Sequence, residues 1–190
     1  MSRVVVAAVG DAPPAVLERM AAAVESAYGL PAGTGEALPE PRAAYSPQRA
    51  QWASAEYLKR LLAHPAAAEG RVLGVTERDL FVPVLSFVYG QAQLEGRVAV
   101  VSLARLRSEF HGLPPDAEAL VRRAATEAVH EVGHTFGLVH CADRRCPMSL
   151  SIDLSDLDRK TAEPCPSCSA LAEGSLEMKR ARTRAEGGPR

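Results

Sequence analysis

The stretch His130-Glu131-Val132-Gly133-His134-Thr135-Phe136-Gly137-Leu138-Val139-His140 carries three imidazoles and one carboxylate. Histidines four apart project from one face of a helix, close enough to share a single ion. Gly137 lies three residues past His134, where a helix needs a left-handed residue to stop and turn. That turn brings His140 back toward the same ion. Three neutral imidazoles leave Zn²⁺ its charge and one open position for water, and the ion lowers that water's pKa and polarises a carbonyl oxygen. Glu131 follows the first histidine and is placed to take a proton from the water and pass it to a leaving amine. The chemistry expected is metal-assisted hydrolysis of a peptide bond.

All four cysteines follow, as Cys141-x4-Cys146 and Cys165-x2-Cys168. Thiolates paired closely in sequence, with a loop between the pairs, suit a closed tetrahedral zinc site. A closed site has no room for water, so its expected role is to hold the C-terminal segment in place. Three alternatives remain at this point: disulfides, a redox-active Cys-Pro-Ser-Cys, or Cys141 filling the open position on the histidine-held ion. An isolated methionine is ordinarily a core residue. Met148, just after the metal segment, is a candidate support for it. The expectation is two Zn²⁺ per chain, one catalytic and one structural.

The elements that must position these groups begin with the valine-rich run Val4 to Val9, which reads as a strand buried on both faces. A helical stripe follows at Val16, Leu17, Met20, Val24 and Ala27. Residues 29–42, rich in Gly and Pro, read as a loop. Ser46-Pro47 signals a helix start, with Trp52, Ala55, Leu58, Leu61 and Leu62 on one face and His64-Pro65 as its end. Strands are expected over Arg71 to Thr76, Leu80 to Val84, Leu85 to Tyr89 and Arg97 to Leu103, with Pro83 marking an edge or a break. Phe87-Val88-Tyr89 is the candidate strand bordering a cleft, where an extended peptide adds as a further strand. Gly90 and Gly96 punctuate turns. His64 and His111 read as bystanders. Asp116 starts a long helix whose stripe, from Ala117 through Val121, Ala124, Ala128 and Val132 to Phe136, has helical spacing. His130 and His134 lie about 200° from that stripe at roughly 100° per residue, so one face is buried while the histidines face a cleft.

At 190 residues the chain fits one domain. A formal net charge of −1 provides no field for nucleic acid. No apolar run is long enough to span a membrane. The first apolar run is too short for a signal-peptide core, so a reducing cytoplasmic setting is expected, which favours metal-bound over disulfide-bonded cysteines.

The extended histidine motif followed by a methionine resembles the metzincin clan. Within it, residues from His130 to Cys168 resemble the archaemetzincins: the histidine motif, a cysteine directly after it, Cys-x-Met, and a later Cys-x-x-Cys. Upstream, Ala43-Ala44-Tyr45, Phe87-Val88-Tyr89-Gly90 and Val101-Ser102-Leu103-Ala104-Arg105-Leu106 are also similar to that family. The resemblance implies an α/β, α+β-like metzincin fold: a mixed twisted sheet with a backing helix, a long active-site helix, and a small C-terminal subdomain stapled by zinc. It implies His130, His134 and His140 as catalytic zinc ligands, Glu131 as general base, Met148 in the turn beneath the metal, and Cys141, Cys146, Cys165 and Cys168 around the second zinc.

The chain is expected to divide into an N-terminal lobe over about 1–137, a C-terminal lobe over about 138–175, and a tail over 176–190 carrying Arg180, Arg182 and Arg184. The function expected is a zinc metallopeptidase acting on a peptide or protein substrate, by exo- or endo-cleavage. The alternative is a metal-stabilised binding protein with a blocked or vestigial catalytic zinc. A zinc-ribbon nucleic-acid binder is disfavoured by the near-neutral charge. Oligomeric state is not readable from the sequence.

Overall fold

The computed structural model describes residues 3–186, with side chains described through residue 178. In chain order the elements are β1 (Val4–Ala8), α1 (Pro14–Tyr28), β2 (Ala32–Thr34), β3 (Tyr45–Ser46), β4 (Gln51–Ala53), α2 (Ser54–Leu62), α3 (Ala66–Glu69), β5 (Arg71–Thr76), β6 (Leu80–Phe81), β7 (Gly90–Ala92), β8 (Val98–Ser102), α4 (Ala117–Thr135), α5 (Leu154–Arg159) and α6 (Pro166–Glu186).

The main sheet has the order β2-β1-β5-β8-β7. The first four strands are parallel, and β7 closes one edge antiparallel to β8, pairing Gly90 with Val101. Period-two alternation divides the buried strands between two cores. Val4, Val6, Ala8, Leu73, Val75, Ala99 and Val101 face the side covered by α1 and α4. Val5, Ala7, Val9, Val72, Val98 and Val100 face Tyr57 and Leu61 of α2. Burial on both faces explains why these strands read as continuous valine runs, and the result is the expected mixed α/β class.

Three local expectations differ from the structure. The helix expected after Ser46-Pro47 starts only at Ser54, because β3 and β4 first form an antiparallel pair in which Tyr45 packs on Trp52 at 4.7 Å. The loop expected over 29–42 contributes β2, which extends the sheet in parallel beside β1. The hydrophobic run from Leu80 to Tyr89 is not two strands. Pro83 has no N–H to give to a ladder, so β6 ends at Phe81 and the chain turns, Leu85 N–H bonding Val82 O at 3.1 Å. The cleft-edge strand is therefore Gly90–Ala92, just beyond Phe87-Val88-Tyr89.

Cys146, Met148, Leu157, Cys168, Ala172 and Leu176 are buried in the same core as α1 and α4. The C-terminal segment thus shares the main core. The division expected near residue 175 falls inside α6, which also supplies the Ser175 hydroxyl to Phe136 O at 2.7 Å. The side chains of Arg180, Arg182 and Arg184 lie outside the described residues.

Candidate metal and catalytic site

Asp116 caps α4 by accepting the Ala119 N–H at 2.8 Å, as its place in the sequence suggests. Ala124, Ala128, Val132 and Phe136 enter the core, while Glu127, His130, Glu131 and His134 line a cleft of about 680 Å³. One wall is the segment from Leu85 to Ala92, which includes β7. The other is formed by Val139, His140 and the segment from Leu150 to Ile152.

Nδ1 of His130 donates to Pro147 O at 2.7 Å, and Nδ1 of His134 donates to Leu138 O at 2.7 Å. A carbonyl can only accept, so each bond fixes the tautomer that leaves Nε2 as a lone pair. The two Nε2 atoms lie 3.0 Å apart, and His140 completes a group whose donor atoms all lie within 4.8 Å of one another. Lone pairs facing at that distance repel unless a cation lies between them. Two nitrogens on one tetrahedral zinc would be about 3.3 Å apart. The residues fit the ion. Burial lowers the pKa of all three rings, that of His130 to about 3, which favours the neutral form a metal ligand needs.

Gly137 has φ +96°, the left-handed turn that its position after His134 predicts. Leu138 N–H returns to Gly133 O at 3.2 Å, so the chain doubles back and delivers His140 beside the helix end. Arg71 steadies this end, its Nε bonding Thr135 Oγ1 at 2.8 Å and its guanidinium stacking 4.2 Å from the Phe136 ring.

Glu131 is buried in the cleft, and its Oε2 has no hydrogen-bond partner among the described residues. Burial first, then the charge of Glu127, raises its carboxyl well above the carboxylate range, and Lys160 opposes them. A dication held by the adjacent imidazoles would supply the missing counter-charge. Gly90 leaves the space this carboxylate needs: a Cβ there would stand 2.5 Å from Glu131 Oε1 and 2.6 Å from its Cγ.

The four thiols form a second group within 4.8 Å, with Cys141 Sγ 3.8 Å from Cys165 Sγ. Two thiolates on one tetrahedral zinc would be about 3.8 Å apart. All four are free cysteines, and Cys141 stands with the thiols. The Cys168 backbone N–H draws the Cys165 thiol below its usual range, while burial pushes Cys146 and Cys168 up. Met148 is fully buried, its sulfur 3.9 Å from the Tyr28 hydroxyl and its carbonyl accepting the Cys141 N–H at 2.9 Å. Its sulfur also lies against α4, where a Cβ on Gly133 would stand 2.5 Å from it.

Three contributors were not singled out from sequence as site residues. Glu127 had a signal, being a second carboxylate four residues before Glu131 on the same helical face. Gly90 and Lys160 had none, because their roles depend on contacts between distant segments. Lys160 is buried and gives its ammonium hydrogens to Pro147 O and Ser149 O. His64 accepts the Ala66 N–H and His111 bonds Arg105 O, both away from the cleft.

A three-imidazole group able to hold a metal ion, with a buried carboxylate beside it in an open cleft along a sheet edge, has the make-up that metal-assisted peptide hydrolysis needs. Residues 67–173 match the profile of Peptidase family M54. The archaemetzincin of Methanocaldococcus jannaschii is 41% identical over 169 residues, covering 87% of this chain and 90% of that one. The crystal structure of the archaemetzincin from Methanopyrus kandleri aligns with a TM-score of 0.80 at 36% identity, covering 93% of this chain and 96% of that one. A structure described as a zinc-dependent peptidase from Methanocorpusculum labreanum aligns with a TM-score of 0.78 at 26% identity, over 89% of this chain and 99% of that one. The chain belongs to Peptidase family M54, the archaemetzincins. It is a zinc metallopeptidase, with peptides or proteins as its substrates. No helix among the described residues is long and apolar enough to cross a membrane.

Proposed function

We propose that His130, His134 and His140 hold a catalytic zinc, that Cys141, Cys146, Cys165 and Cys168 hold a second, structural zinc, and that Glu131 is the general base. The observation that carries this reading is the pair of tautomer-fixed Nε2 atoms facing each other at 3.0 Å beside the unpartnered Glu131 carboxylate. When bound, the first zinc supplies Lewis acidity toward the scissile carbonyl and the attacking water. Glu131 accepts a proton from that water as its oxygen bonds the carbonyl carbon. It then gives the proton to the amide nitrogen as the carbon–nitrogen bond breaks. β7 presents the free edge of the sheet to the cleft and offers backbone partners to an extended substrate. Gly137 turns His140 into place, and Met148 supports the helix from below. Reduced thiols grouped for a metal fit a reducing, cytoplasmic setting.

The test is incubation of the purified zinc-loaded chain with a mixed peptide library, half of it N-terminally blocked, beside Glu131→Gln. The parent is expected to cleave, and the variant to lose at least a hundredfold in rate while keeping two zinc ions per chain. Equal cleavage by both would overturn the role of Glu131. The blocked peptides separate exo- from endo-cleavage.

A further inference from the structure

Glu127 lies one helical turn before Glu131 and lines the same cleft. It is only 3% exposed, yet no hydrogen bond or ion pair among the described residues engages its carboxylate. Lys160 is the cation whose charge acts on it, but that ammonium gives its hydrogens to the carbonyls of Pro147 and Ser149. The other titratable groups that interact with it, Glu131 and Tyr89, bring no positive charge. Burial raises its carboxyl to about 7, as expected of an acid short of a counter-ion. The cleft that Glu127 lines carries many apolar side chains, among them Phe87, Val88, Leu94, Val139, Leu150 and Ile152. A buried, unpartnered carboxylate within an apolar cleft is complementary to a cationic head on an aliphatic stem.

We propose that Glu127 is a specificity-determining residue that receives a cationic group of the substrate, either the α-ammonium of a peptide or the head of a lysine or arginine side chain. This rests on the peptidase reading of the cleft. A carboxylate one turn from the general base, with about 5–6 Å between the two Cβ atoms, is near enough to read a group close to the scissile bond.

The test is equilibrium binding, which does not require turnover. Fluorescent peptides in which a single lysine walks through an otherwise apolar sequence, each with a free or acetylated N-terminus and with norleucine controls, are titrated by anisotropy into zinc-loaded Glu131→Gln. Binding at least tenfold tighter for lysine than for norleucine at one position, or at least tenfold weaker after acetylation, is expected, and which of the two appears identifies the source of the cation. Adding Glu127→Gln is expected to abolish that preference while zinc content stays unchanged. No discrimination between cationic and neutral peptides, read with Glu127 intact and so independent of how the variant folds, overturns the proposal. So does a preference that survives Glu127→Gln. A variant that only melts earlier, with ligand preference intact, would assign Glu127 to steadying Lys160 instead. Cleavage by the unaltered chain is measured in parallel. Cation-selective binding without any cleavage would refute the hydrolase mechanism and leave this subsite standing, whereas cleavage indifferent to charge would do the reverse.

Discussion

Pro147 takes the Nδ1 hydrogen of His130 on its carbonyl oxygen at 2.7 Å, and it directly follows Cys146. At the other end of the same loop, His140 is bonded directly to Cys141, whose N–H returns to Met148 O at 2.9 Å. The thiol group and the imidazole group thus share one short run of backbone.

From this coupling, Cys165→Ser with Cys168→Ser is expected to weaken zinc at the histidines by about 10–100-fold, the usual effect of losing the groups that orient a ligand. Competition with a chelator of known affinity reads it directly. Unchanged affinity in a folded variant would show that the two groups are independent.

Gly90→Ala places a Cβ against the Glu131 carboxylate and forces that side chain aside. Peptide hydrolysis is expected to fall at least tenfold, because a small displacement of a proton-transfer group is costly in rate. Zinc content and far-ultraviolet circular dichroism should stay as in the parent. Full activity would mean that the carboxylate has room elsewhere.

Arg123 donates twice to Asp158 at 2.7 Å and also to Leu106 O and Ser108 Oγ, clamping α4 to the last turn of α5 and to the segment 106–108 from a buried position. Asp158→Ala leaves the guanidinium without its anion. The expected loss is about 1–3 kcal/mol, below the figure for a fully buried pair because Asp158 is partly exposed. Urea denaturation of the zinc-loaded protein measures it, and a loss below roughly 0.5 kcal/mol would contradict the clamp.

Burial and then the charge of His134 bring His130 from 6.5 to about 3, and burial also lowers His134 and His140. Between pH 7 and 5 the folded rings therefore bind fewer protons than the unfolded chain. The stability of the metal-free fold accordingly rises with pH over that window and is lost on acidification. His130 holds no proton for zinc to displace there, and the lowered His134 and His140 hold fewer than free imidazoles would. Zinc affinity at the histidines is expected to fall by clearly less from pH 7 to 5 than the roughly ten-thousandfold that three exposed imidazoles would lose. Chelator competition at each pH decides between the two slopes.

The two groups able to hold a metal were legible because each is local in sequence: one helix and one turn bring together His130, His134 and His140, and two tight pairs bring together the thiols. Val4–Ala8 and Val98–Ser102 were legible because burial on both faces writes itself as unbroken valine. The cleft edge was not. Leu80 to Tyr89 has strand composition, but Pro83 interrupts it, and the strand that forms, Gly90–Ala92, is small and polar, with Gly90 lying against the Glu131 carboxylate. Glu127 escaped for a related reason. A glutamate in mid-helix ordinarily faces water, and here it is buried in a cleft that the distant segments 85–92 and 150–152 also line.

The order of elements along the chain bears on how such a protein is made. Among the described residues every strand ends by Ser102 and α4 by Thr135, whereas Cys165 and Cys168 follow some thirty residues later. A ribosome therefore releases the sheet, then the imidazoles, and only afterwards the final thiol pair. The four-sulfur group cannot close until the sheet and α4 that bury it have emerged, so metal capture by those thiols would come after the imidazole group is already in place.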